Sequence, residues 1–395
     1  MRRALLVVVV LGVSLLTTPH GVAADGSDRP DHAERREPAT VGTLQGEVRT
    51  LPRLKVRELA AGFRVPWDVQ QLPSGSLLVT GRNNAHLTRI TRGERRRVDF
   101  PSEDVWVSIE TGLMSLAIDP DFRKNRRIYT CQGGTTTTGH DVRVMSWKLV
   151  RRKVRKPRLL VAGIPATTGQ HGGCRLLIDR TSGALLVGTG DAHVSGNSRN
   201  LDTLGGKVLR LDRRTGEPWP DNPFYADGGN RAYVFTFGHR NVQGLAQRED
   251  GTIWSVEQGS YRDDEVNLLR PGGDYGWDPR PPYDETVEMT DHFLPGGQRD
   301  AKWTSGFPTL ATSGARWVEG KQWGVLDGTL AVACLKTQQM VFMKFDDAGV
   351  LEWVETPESL MKFGRLRSVT SADNGDLLVT TSNGAIDHVI RVSPR

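Results

Sequence analysis

The stretch Ser74-Gly75-Ser76-Leu77-Leu78-Val79 joins a glycine turn to a short run of residues that favour β-strands. This pattern, a turn with Gly or Asn followed by a β-rich run, returns five more times along the chain. The further copies are Asn125-Arg126-Arg127-Ile128-Tyr129, Ser182-Gly183-Ala184-Leu185-Leu186-Val187, Asp250-Gly251-Thr252-Ile253-Trp254, Asp327-Gly328-Thr329-Leu330-Ala331-Val332 and Asn374-Gly375-Asp376-Leu377-Leu378-Val379. Successive turns lie roughly 50 to 80 residues apart, within or somewhat above the spacing of propeller blades.

The recurrence predicts an all-β fold that closes into a ring. No amphipathic helix pattern of convincing length lies between the copies. Each unit alone would leave an apolar face in water, and a ring that buries face against face removes that cost. We therefore expect a six-bladed β-propeller whose blades are four-stranded antiparallel sheets. A pair of β-sandwiches is the main structural alternative, but it does not explain the recurrence.

The composition agrees with this fold and excludes several classes of protein. The chain has 395 residues, 37% of them hydrophobic and 25% charged, which excludes a polytopic membrane protein and a long disordered chain. Its 44 Gly and 21 Pro residues favour many short strands over helices. The formal charge of +6 comes from 52 basic against 46 acidic residues, a mixed balance that argues against a nucleic-acid partner. We interpret the basic run from Arg151 to Arg158 as a solvated loop or edge strand.

Residues 1–24 have the three parts of a secretory signal peptide. A positively charged start precedes the apolar stretch Ala4–Leu16, and Gly21–Ala24 supplies small residues for cleavage. The apolar stretch is too short to span a bilayer comfortably, so we expect a secreted protein that is not integral to a membrane. Residues 25–50 are polar and charged, which is typical of a flexible leader, and residues 51–395 then form the propeller.

The three cysteines leave two interpretations open. Export would permit disulfides, so Cys131 and Cys174 could pair and leave Cys334 free. The alternative is three buried thiols, and the sequence favours neither. Three cysteines are too few for a disulfide scaffold, and their spacing does not suit a zinc knuckle.

The densest groups of polar side chains surround the widest intervals of the repeat. Those intervals lie between Gly183 and Gly328, and they predict long loops on one face of the propeller, where sites are usually built. The polar segments are Gln170–Leu176, Gly188–Asp191, Gly238–Gly244, Glu257–Ser260, Asp263–Asn267 and Gly273–Trp277, with Lys336, Arg365 and Arg367 near the C-terminus.

Several segments, in their order along the chain, carry a family resemblance. They are Val65-Pro66-Trp67-Asp68 with Leu77–Thr80, Gly112–Phe122, Gly206–Leu211 with Asp221-Asn222-Pro223-Phe224, and Gly238-His239-Arg240-Asn241 with Gln243-Gly244. With them the chain resembles the soluble sugar dehydrogenases that depend on pyrroloquinoline quinone (PQQ), also called the glucose/sorbosone dehydrogenase family. The resemblance runs from about Leu59 to Pro394, and six blades are also the architecture of that family.

The resemblance implies that an aldose is oxidised at its anomeric carbon to the lactone. This reaction removes a proton from the hydroxyl and a hydride from carbon, and the hydride needs an acceptor that no side chain supplies. The proton needs a base with a pKa near the working pH, a role that the family gives to the position of His171. Asp191 would orient this imidazole or line the sugar pocket, and Arg240 resembles the residue that bonds the quinone oxygen.

The resemblance also implies which residues hold the cofactor and its metal. The carboxylates of PQQ favour the fork of Arg and the point charge of Lys. The positions that match cofactor contacts are Glu110, Arg240, Asn241, Tyr283, Ser313, Gly314, Lys336, Arg365 and Arg367. Calcium is the metal of the family, and oxygen ligands suit it. The carbonyls of Gly259 and Ser260 would hold one ion at the cofactor, and the Glu265 side chain with the Tyr275 carbonyl would hold a second, structural ion.

Three positions depart from the family pattern and keep other interpretations open. Ser260 stands where Pro is usual, Glu110 where some relatives have Gln, and Gln170 where some have Asp. The first two favour a non-catalytic propeller that binds a glycan or a protein. A calcium-dependent propeller hydrolase such as a lactonase is a third interpretation, but the sequence offers no ring of carboxylates at successive blades. No Cys-x-x-Cys-His haem motif is present, so a dehydrogenase would pass electrons to a separate acceptor, a quinone or a cytochrome.

Overall fold

The computed structural model describes residues 49–395, in which β-strands dominate. The signal peptide predicted over residues 1–24 and nearly all of the leader predicted over 25–50 lie outside the described residues. Within the described part, no helix has the length and apolar character needed to cross a membrane. The helices there are α1 (Phe122–Asn125) and the 3-10 helices Ser102–Asp104, Tyr225–Asp227, Arg231–Tyr233, Lys321–Leu326 and Glu358–Phe363.

The described strands form six antiparallel sheets of four strands each. In chain order they are β1 (Leu54–Phe63), β2 (Pro66–Gln71), β3 (Leu77–Gly81), β4 (Leu87–Thr91), β5 (Glu94–Arg97), β6 (Leu113–Ile118), β7 (Arg127–Thr135), β8 (His140–Val150), β9 (Lys153–Pro165), β10 (Arg175–Ile178), β11 (Leu185–Gly188), β12 (Lys207–Leu211), β13 (Val234–Phe237), β14 (Val242–Gln247), β15 (Ile253–Glu257), β16 (Glu265–Leu268), β17 (Trp303–Thr304), β18 (Thr312–Trp317), β19 (Thr329–Cys334), β20 (Met340–Phe345), β21 (Leu351–Glu355), β22 (Leu366–Ser371), β23 (Leu377–Thr381) and β24 (Asp387–Pro394). Blades 1 to 5 take four consecutive strands each from β2 onward, and blade 6 combines β22, β23 and β24 with β1.

The N-terminal strand β1 closes the ring. It pairs antiparallel with β24, so that Leu54 lies opposite Pro394 and Phe63 lies opposite Asp387. The first strand of every blade contacts the first strands of the blades on both sides, which makes β2, β6, β10, β14, β18 and β22 the walls of a central channel. The predicted six-bladed propeller is therefore confirmed.

The six repeated turns all join the first and second strands of a blade. Gly75, Gly183, Gly251, Gly328 and Gly375 have positive φ between 69° and 89°, a backbone region that strains any residue with a β-carbon. Blade 2 has Arg126 at the corresponding place, with φ of 59°. These turns share one end of the ring, which we call the turn end, and the opposite end is called the loop end.

Six apolar clusters fill the six interfaces between neighbouring blades of residues 49–395. Between blades 4 and 5, for example, the rings of Trp254 and Trp317 meet at 5.4 Å and an angle of 71°. Removal of such faces from water stabilises the ring. Between blades 2 and 3, Cys131 and Cys174 form a disulfide with their Cα atoms 6.1 Å apart, while Cys334 is a buried free thiol. This settles the two interpretations of the cysteines in favour of the pair.

Candidate active site

Most of the predicted site residues lie on loops at the loop end of the ring. These loops are 98–112, 166–174, 189–206, 238–241, 258–264, 335–339 and 356–365. A longer segment, 269–302, leaves β16 at the turn end and follows the outer strand of blade 3, where Asp274 bridges to Phe237. Tyr275 anchors this segment because its buried ring stacks on His239 at 4.6 Å. The segment then brings two further aromatic side chains to the site.

The buried carboxylate of Asp191 is the centre of a hydrogen-bonded cluster. His171 Nδ1 lies 2.8 Å from Asp191 Oδ1, which also accepts a hydrogen bond from the His193 amide at 2.9 Å. The other carboxylate oxygen accepts hydrogen bonds from Trp277 Nε1 at 2.8 Å and the Tyr283 hydroxyl at 2.7 Å. Asp191 is fully buried and His171 is 6% exposed. Asp191 therefore contacts His171 directly, which is the geometry that the predicted orienting role requires.

The electrostatics of the cluster fix which nitrogen of His171 carries the proton. Burial alone would raise the pKa of Asp191, but hydrogen bonds from His171 and Tyr283 lower it below its ordinary value. Burial and the Asp191 charge raise the pKa of Tyr283 well above its ordinary value, so its hydroxyl keeps its proton. An ionised Asp191 accepts the Nδ1 proton of His171 and leaves Nε2 with a lone pair. Within residues 49–395, no protein group is hydrogen-bonded to this Nε2.

Two glycines allow the His171 loop to pack this closely. His171 has φ of 44°, and its amide donates to Glu110 Oε2 at 3.0 Å. A β-carbon on Gly190 would lie 1.8 Å from the His171 carbonyl oxygen, and one on Gly172 would lie 2.3 Å from Thr111 Oγ1. A larger residue at position 190 would push the His171 and Asp191 loops apart, and one at position 172 would push the His171 loop away from Thr111.

Arg240 lies beside this cluster on the loop between β13 and β14. Its Nη1 donates to the carbonyls of Gln258 at 3.2 Å and Gly259 at 3.0 Å, and its Nη2 is paired with Glu285. The guanidinium carbon lies 5.5 Å from the centre of the Trp277 ring. Among the described residues, the buried Nε of Arg240 has no hydrogen-bond partner. The arrangement holds a cation in place and leaves one of its donors without a protein acceptor.

A one-residue bulge in the first strand of five blades turns side chains toward the central channel. The register with the second strand shifts at Trp67, Met114–Ser115, Gln243, Ser313–Gly314 and Arg367. Bulges re-aim side chains in this way, because the extra residue has no partner in the ladder. A β-carbon on Gly314 would lie 2.7 Å from Ser368 Cα, so close packing of β18 on β22 accounts for this glycine.

Arg367 is the cation among these bulge residues, and it is buried. Its Nη1 donates to Gln243 Oε1 at 3.0 Å and lies 3.4 Å from Ser313 Oγ. Its guanidinium carbon lies 5.9 Å from the centre of the Trp67 ring. The residue is 7% exposed, and its Nε has no partner among the described residues.

Arg82, Arg365 and Arg367 form a cluster of positive charge with Glu110 beside it. Burial and the charge of Arg82 lower the pKa of Arg367 to about 9, and Glu110 offsets only part of this effect. Burial also lowers the pKa of Arg82, with Glu110 opposing that change and Arg365 adding to it. The protein thus gathers more positive charge here than its own carboxylates balance.

Asn241 and Lys336 are two further predicted cofactor contacts, and both lie at the loop end of the ring. Asn241 is buried, and its Nδ2 lies 3.5 Å from Glu110 Oε2. Lys336 follows β19 at the loop end, where it is exposed and its Nζ lies 3.3 Å from Thr309 Oγ1. Arg365 is exposed just before β22, whereas Arg367 within that strand is buried. The two side chains differ in exposure but interact, because the charge of Arg365 contributes to the lowered pKa of Arg367.

The predicted calcium ligands have partners within the protein. The Glu265 carboxylate accepts hydrogen bonds from Thr290 Oγ1 at 3.0 Å and Asn267 Nδ2 at 3.2 Å, and burial raises its pKa well above the ordinary value. The Ser260 hydroxyl donates to the Glu285 carbonyl at 2.9 Å. In the part of the chain that the structure describes, no three His, Cys, Asp or Glu side chains converge as a metal site. The two calcium sites remain predictions.

Several residues of the site were not singled out from the sequence. Trp277 belongs to a predicted polar segment and donates to Asp191, although the sequence gives it no role in the site. Gln243 belongs to a segment that carries the family resemblance but has no predicted role, and Arg82 and Glu285 belong to none of the predicted segments. Arg82 follows directly after β3 at the loop end, so its position in the repeat could have indicated it. No pattern in the sequence indicates Glu285, and the family segment that contains Gln243 does not give the direction of its side chain.

Comparisons with known proteins give the class of this chain. The family model described as Glucose / Sorbosone dehydrogenase matches residues 63–389. The curated "Aldose sugar dehydrogenase YliI" of Escherichia coli is 26% identical over 343 residues, which cover 84% of this chain and 90% of that protein. The protein is therefore a β-propeller oxidoreductase. It belongs to the glucose/sorbosone dehydrogenase family.

Solved structures agree with this assignment. The putative oxidoreductase (glucose dehydrogenase) of Thermus thermophilus is 32% identical, covers 86% of this chain and 100% of its own, and superposes with a TM-score of 0.73. The PQQ-bound form of an aldose sugar dehydrogenase from Streptomyces coelicolor is 26% identical, covers 87% of this chain and 100% of its own, and has a TM-score of 0.72. The resemblance noted in the sequence and the fold it implied are both confirmed.

Proposed function

We propose that this chain is an exported dehydrogenase that oxidises an aldose at its anomeric C–OH to the lactone, with PQQ and calcium as cofactors. The observation that carries the proposal is the His171–Asp191 pair. His171 Nδ1 lies 2.8 Å from Asp191 Oδ1, and His171 Nε2 has no hydrogen-bond partner among the described residues. Family membership supports the dehydrogenase class, and the PQQ-bound relative from Streptomyces coelicolor supports the choice of cofactor. The lactone product follows from removal of a hydride and a proton from one anomeric centre.

The residues at the channel suit a ligand with several carboxylates. Arg82, Arg365 and Arg367 crowd positive charge there, and their mutual repulsion lowers the pKa of the buried Arg367 beyond the effect of burial. The Nε atoms of Arg240 and Arg367 are buried donors without acceptors among the described residues. Buried donors and unbalanced cations both cost free energy that an anionic acceptor would recover. These residues, with Lys336 at the rim, would hold the carboxylates of PQQ, and Arg240 would contact its quinone.

The chain's own residues can perform the proton part of the reaction. His171 Nε2 accepts the proton of the anomeric hydroxyl, and the ionised Asp191 stabilises the imidazolium that forms. Trp277 and Tyr283 hold Asp191 from the other side, so the imidazole cannot rotate away from the substrate. When bound, PQQ would supply the electrophilic carbon that accepts the hydride, and calcium would polarise its quinone as a Lewis acid.

Calcium at the cofactor would rely on backbone oxygens. The carbonyls of Gln258 and Gly259 both point at the guanidinium of Arg240, so this loop already directs oxygen lone pairs toward a cation. Backbone carbonyls are suitable ligands for Ca²⁺. Gly259 and Ser260 remain the proposed ligands, and loss of PQQ binding on treatment with a chelator would test them.

A visible-absorbance titration of the purified protein tests the proposed function. PQQ is added with calcium, and glucose is then added in excess. We expect PQQ to bind stoichiometrically and to be reduced by the sugar. His171→Ala should bind the cofactor but block its reduction, because the base is lost while the cations remain. His292→Ala, at an exposed histidine paired with Asp300, is the matched control and should behave like the unaltered protein.

The alternative, a non-catalytic binding propeller, rests on Glu110. Its carboxylate lies among the cations that would hold PQQ and accepts the His171 amide at 3.0 Å. If PQQ fails to bind in the titration, the dehydrogenase proposal is wrong, and the loop end should be tested with glycans instead. If PQQ binds but reduction survives in His171→Ala, the cofactor proposal stands and the base is misassigned.

A further inference from the structure

A groove at the turn end of blades 1 and 2 has seven arginines among its seventeen lining residues. It consists of two adjoining clefts of about 500 and 720 Å³ that share Ser74 and Arg89. Blade 1 contributes Arg89, Arg92 and Arg96, and blade 2 contributes Arg123, Arg126, Arg151 and Arg152. Glu94 is the single carboxylate among the lining residues that the structure describes, and it is paired with Arg96 at 3.0 Å. We call this surface the arginine groove.

The protein leaves most of these guanidinium groups unpaired by acids. Arg92, Arg123, Arg126, Arg151 and Arg152 are exposed, and none of them forms a salt bridge within the described residues. Arg89, at the junction of the two clefts, is only partly exposed. Its Nη2 donates to Ser76 Oγ at 3.1 Å and its Nη1 to the Arg151 carbonyl at 3.3 Å, while its buried Nε has no partner among the described residues. The groove therefore gathers seven cations with one carboxylate among its lining residues.

The arginine groove is distinct from the candidate active site. Its walls come from turns at the turn end, among them Ser74–Ser76 and the turn that contains Arg126, whereas His171 and Arg240 lie on loops at the loop end. A ligand in the groove would therefore leave the loop end open to substrate. An electron acceptor that had to approach the loop end would gain nothing from charge on the far side of the ring.

We propose that the arginine groove binds a linear acidic polysaccharide. The guanidinium fork matches carboxylate and sulfate groups, and cations repeated along a groove match anions repeated along a chain. The aromatic side chain among the lining residues is Phe122, whose ring is buried, so the described surface offers no platform for stacking a nucleobase. Val150 is the exposed large apolar side chain of the groove, with 38% of its surface in contact with solvent. One such side chain is too small an apolar surface to insert into a bilayer. A groove that carries seven cations and exposes one large apolar side chain suits a flexible, polyanionic polymer.

Binding to fluorescent dextran sulfate, with neutral dextran for comparison, tests this proposal on the full chain. The paired variant Arg92→Glu with Arg123→Glu reverses one charge in each cleft. The control pair, Arg57→Glu with Arg214→Glu, makes the same change in net charge at exposed positions outside the groove. We expect dextran sulfate alone to bind at physiological salt, the groove pair to lose roughly tenfold or more in affinity, and the control pair to lose about threefold at most. The affinity should also fall as salt rises.

Each remaining outcome overturns the proposal. No binding to dextran sulfate at physiological salt would contradict it, as would equal losses in the two variant pairs, which would indicate only net charge. Preferential binding of duplex DNA, polyphosphate or vesicles rich in anionic lipid would assign the groove to another partner. A second pair, Arg96→Glu with Arg151→Glu, repeats the test if thermal unfolding shows that the first pair is misfolded. The assay contains no cofactor or sugar, so its failure is independent of the proposed dehydrogenase activity.

Discussion

The candidate active site has two halves that differ in how well their polar groups are satisfied. The base side consists of His171, Asp191, Trp277 and Tyr283, and both oxygens of its buried carboxylate accept hydrogen bonds of 2.7–2.9 Å. The cation side consists of Arg82, Arg365, Arg367 and Glu110, where like charges lie together and a buried donor has no acceptor among the described residues. The polar groups of the base side are satisfied without a ligand, whereas the charges and donors of the cation side are not.

This difference indicates that the two halves have separate roles, one in proton transfer and the other in cofactor binding. A base side that is already hydrogen-bonded needs no reorganisation when the sugar arrives, which is the condition for efficient proton transfer. Repulsion on the cation side destabilises the free protein and is relieved when an anion binds, so this half supplies affinity. Variants of the base side should therefore alter rate, and variants of the cation side should alter affinity and stability in opposite directions.

The largest effect is expected from Asp191→Asn. The amide keeps the size of the side chain but can no longer accept the Nδ1 proton as a charged partner, so His171 loses its tautomer and its stabilised imidazolium. We expect the rate of cofactor reduction in single-turnover absorbance measurements to fall about 10³-fold, with cofactor affinity little changed.

Asp202→Asn is the matched control, since Asp202 is exposed and paired with Arg231 on the surface. It should leave the rate unchanged. An Asp191→Asn protein that reduces the cofactor at the original rate would show that the base side has no role in proton transfer.

The next largest effect is expected from Arg367→Met, which keeps most of the side-chain stem and removes the charge. PQQ affinity should fall roughly 10- to 100-fold, which corresponds to the loss of about one charged hydrogen bond. The cofactor-free protein should instead unfold about 1 to 2 °C higher, because like-charge repulsion with Arg82 is removed. Equilibrium titration and thermal unfolding measure the two quantities. A loss of both affinity and stability would mean that Arg367 acts as a structural residue.

Glu110→Gln should change PQQ affinity and stability in the directions opposite to Arg367→Met, and by smaller amounts. Its amide oxygen can still accept the His171 amide proton, but the negative charge beside Arg82 and Arg367 is lost. We expect PQQ to bind about two- to tenfold more tightly and the cofactor-free protein to become slightly less stable. The same titration and unfolding assays apply. Weaker PQQ binding in Glu110→Gln would show that the carboxylate assists the cofactor site.

The smallest effect concerns pH. The pKa of Arg367 is lowered to about 9 in the folded protein from an ordinary value of 12.5. Because folding disfavours the charged form, the protonated group opposes folding below pH 9, and this opposition fades as the pH rises through that value. Chemical unfolding of the cofactor-free proteins at pH 7 and pH 10 should show the stability advantage of Arg367→Met shrinking at the higher pH. An advantage that is the same at both would contradict the lowered pKa.

The sequence predicts the ring well because its signals are local. Turns such as Ser74–Ser76 and Asp250–Thr252 combine a positive-φ glycine with a β-rich run, and those features act within a few residues. The pairing of β1 with β24 could not be found in this way. Leu54 and Pro394 lie at opposite ends of the described chain, and no short-range pattern links them.

The site residues also separate into those that local motifs indicate and those that only the tertiary structure places. His171 and Arg240 lie in motifs that resemble the family, so the sequence indicates them. The inward direction of Gln243 and Arg367 depends on a single extra residue in a strand, which an alternating pattern does not reveal. Trp277 reaches Asp191 only because segment 269–302 follows the edge of blade 3, a route that tertiary packing determines.

The closure of the ring by β1 has a consequence for how the protein is made. Leu54–Phe63 leaves the ribosome long before Asp387–Pro394, its partner across the seam of blade 6. Five blades can assemble in order of synthesis, while β1 must stay unpaired until β24 has been synthesised. Removal of the chain from Asp387 onward would take away β24 and leave β1 and β23 as two unpaired edges, free to join with those of another chain.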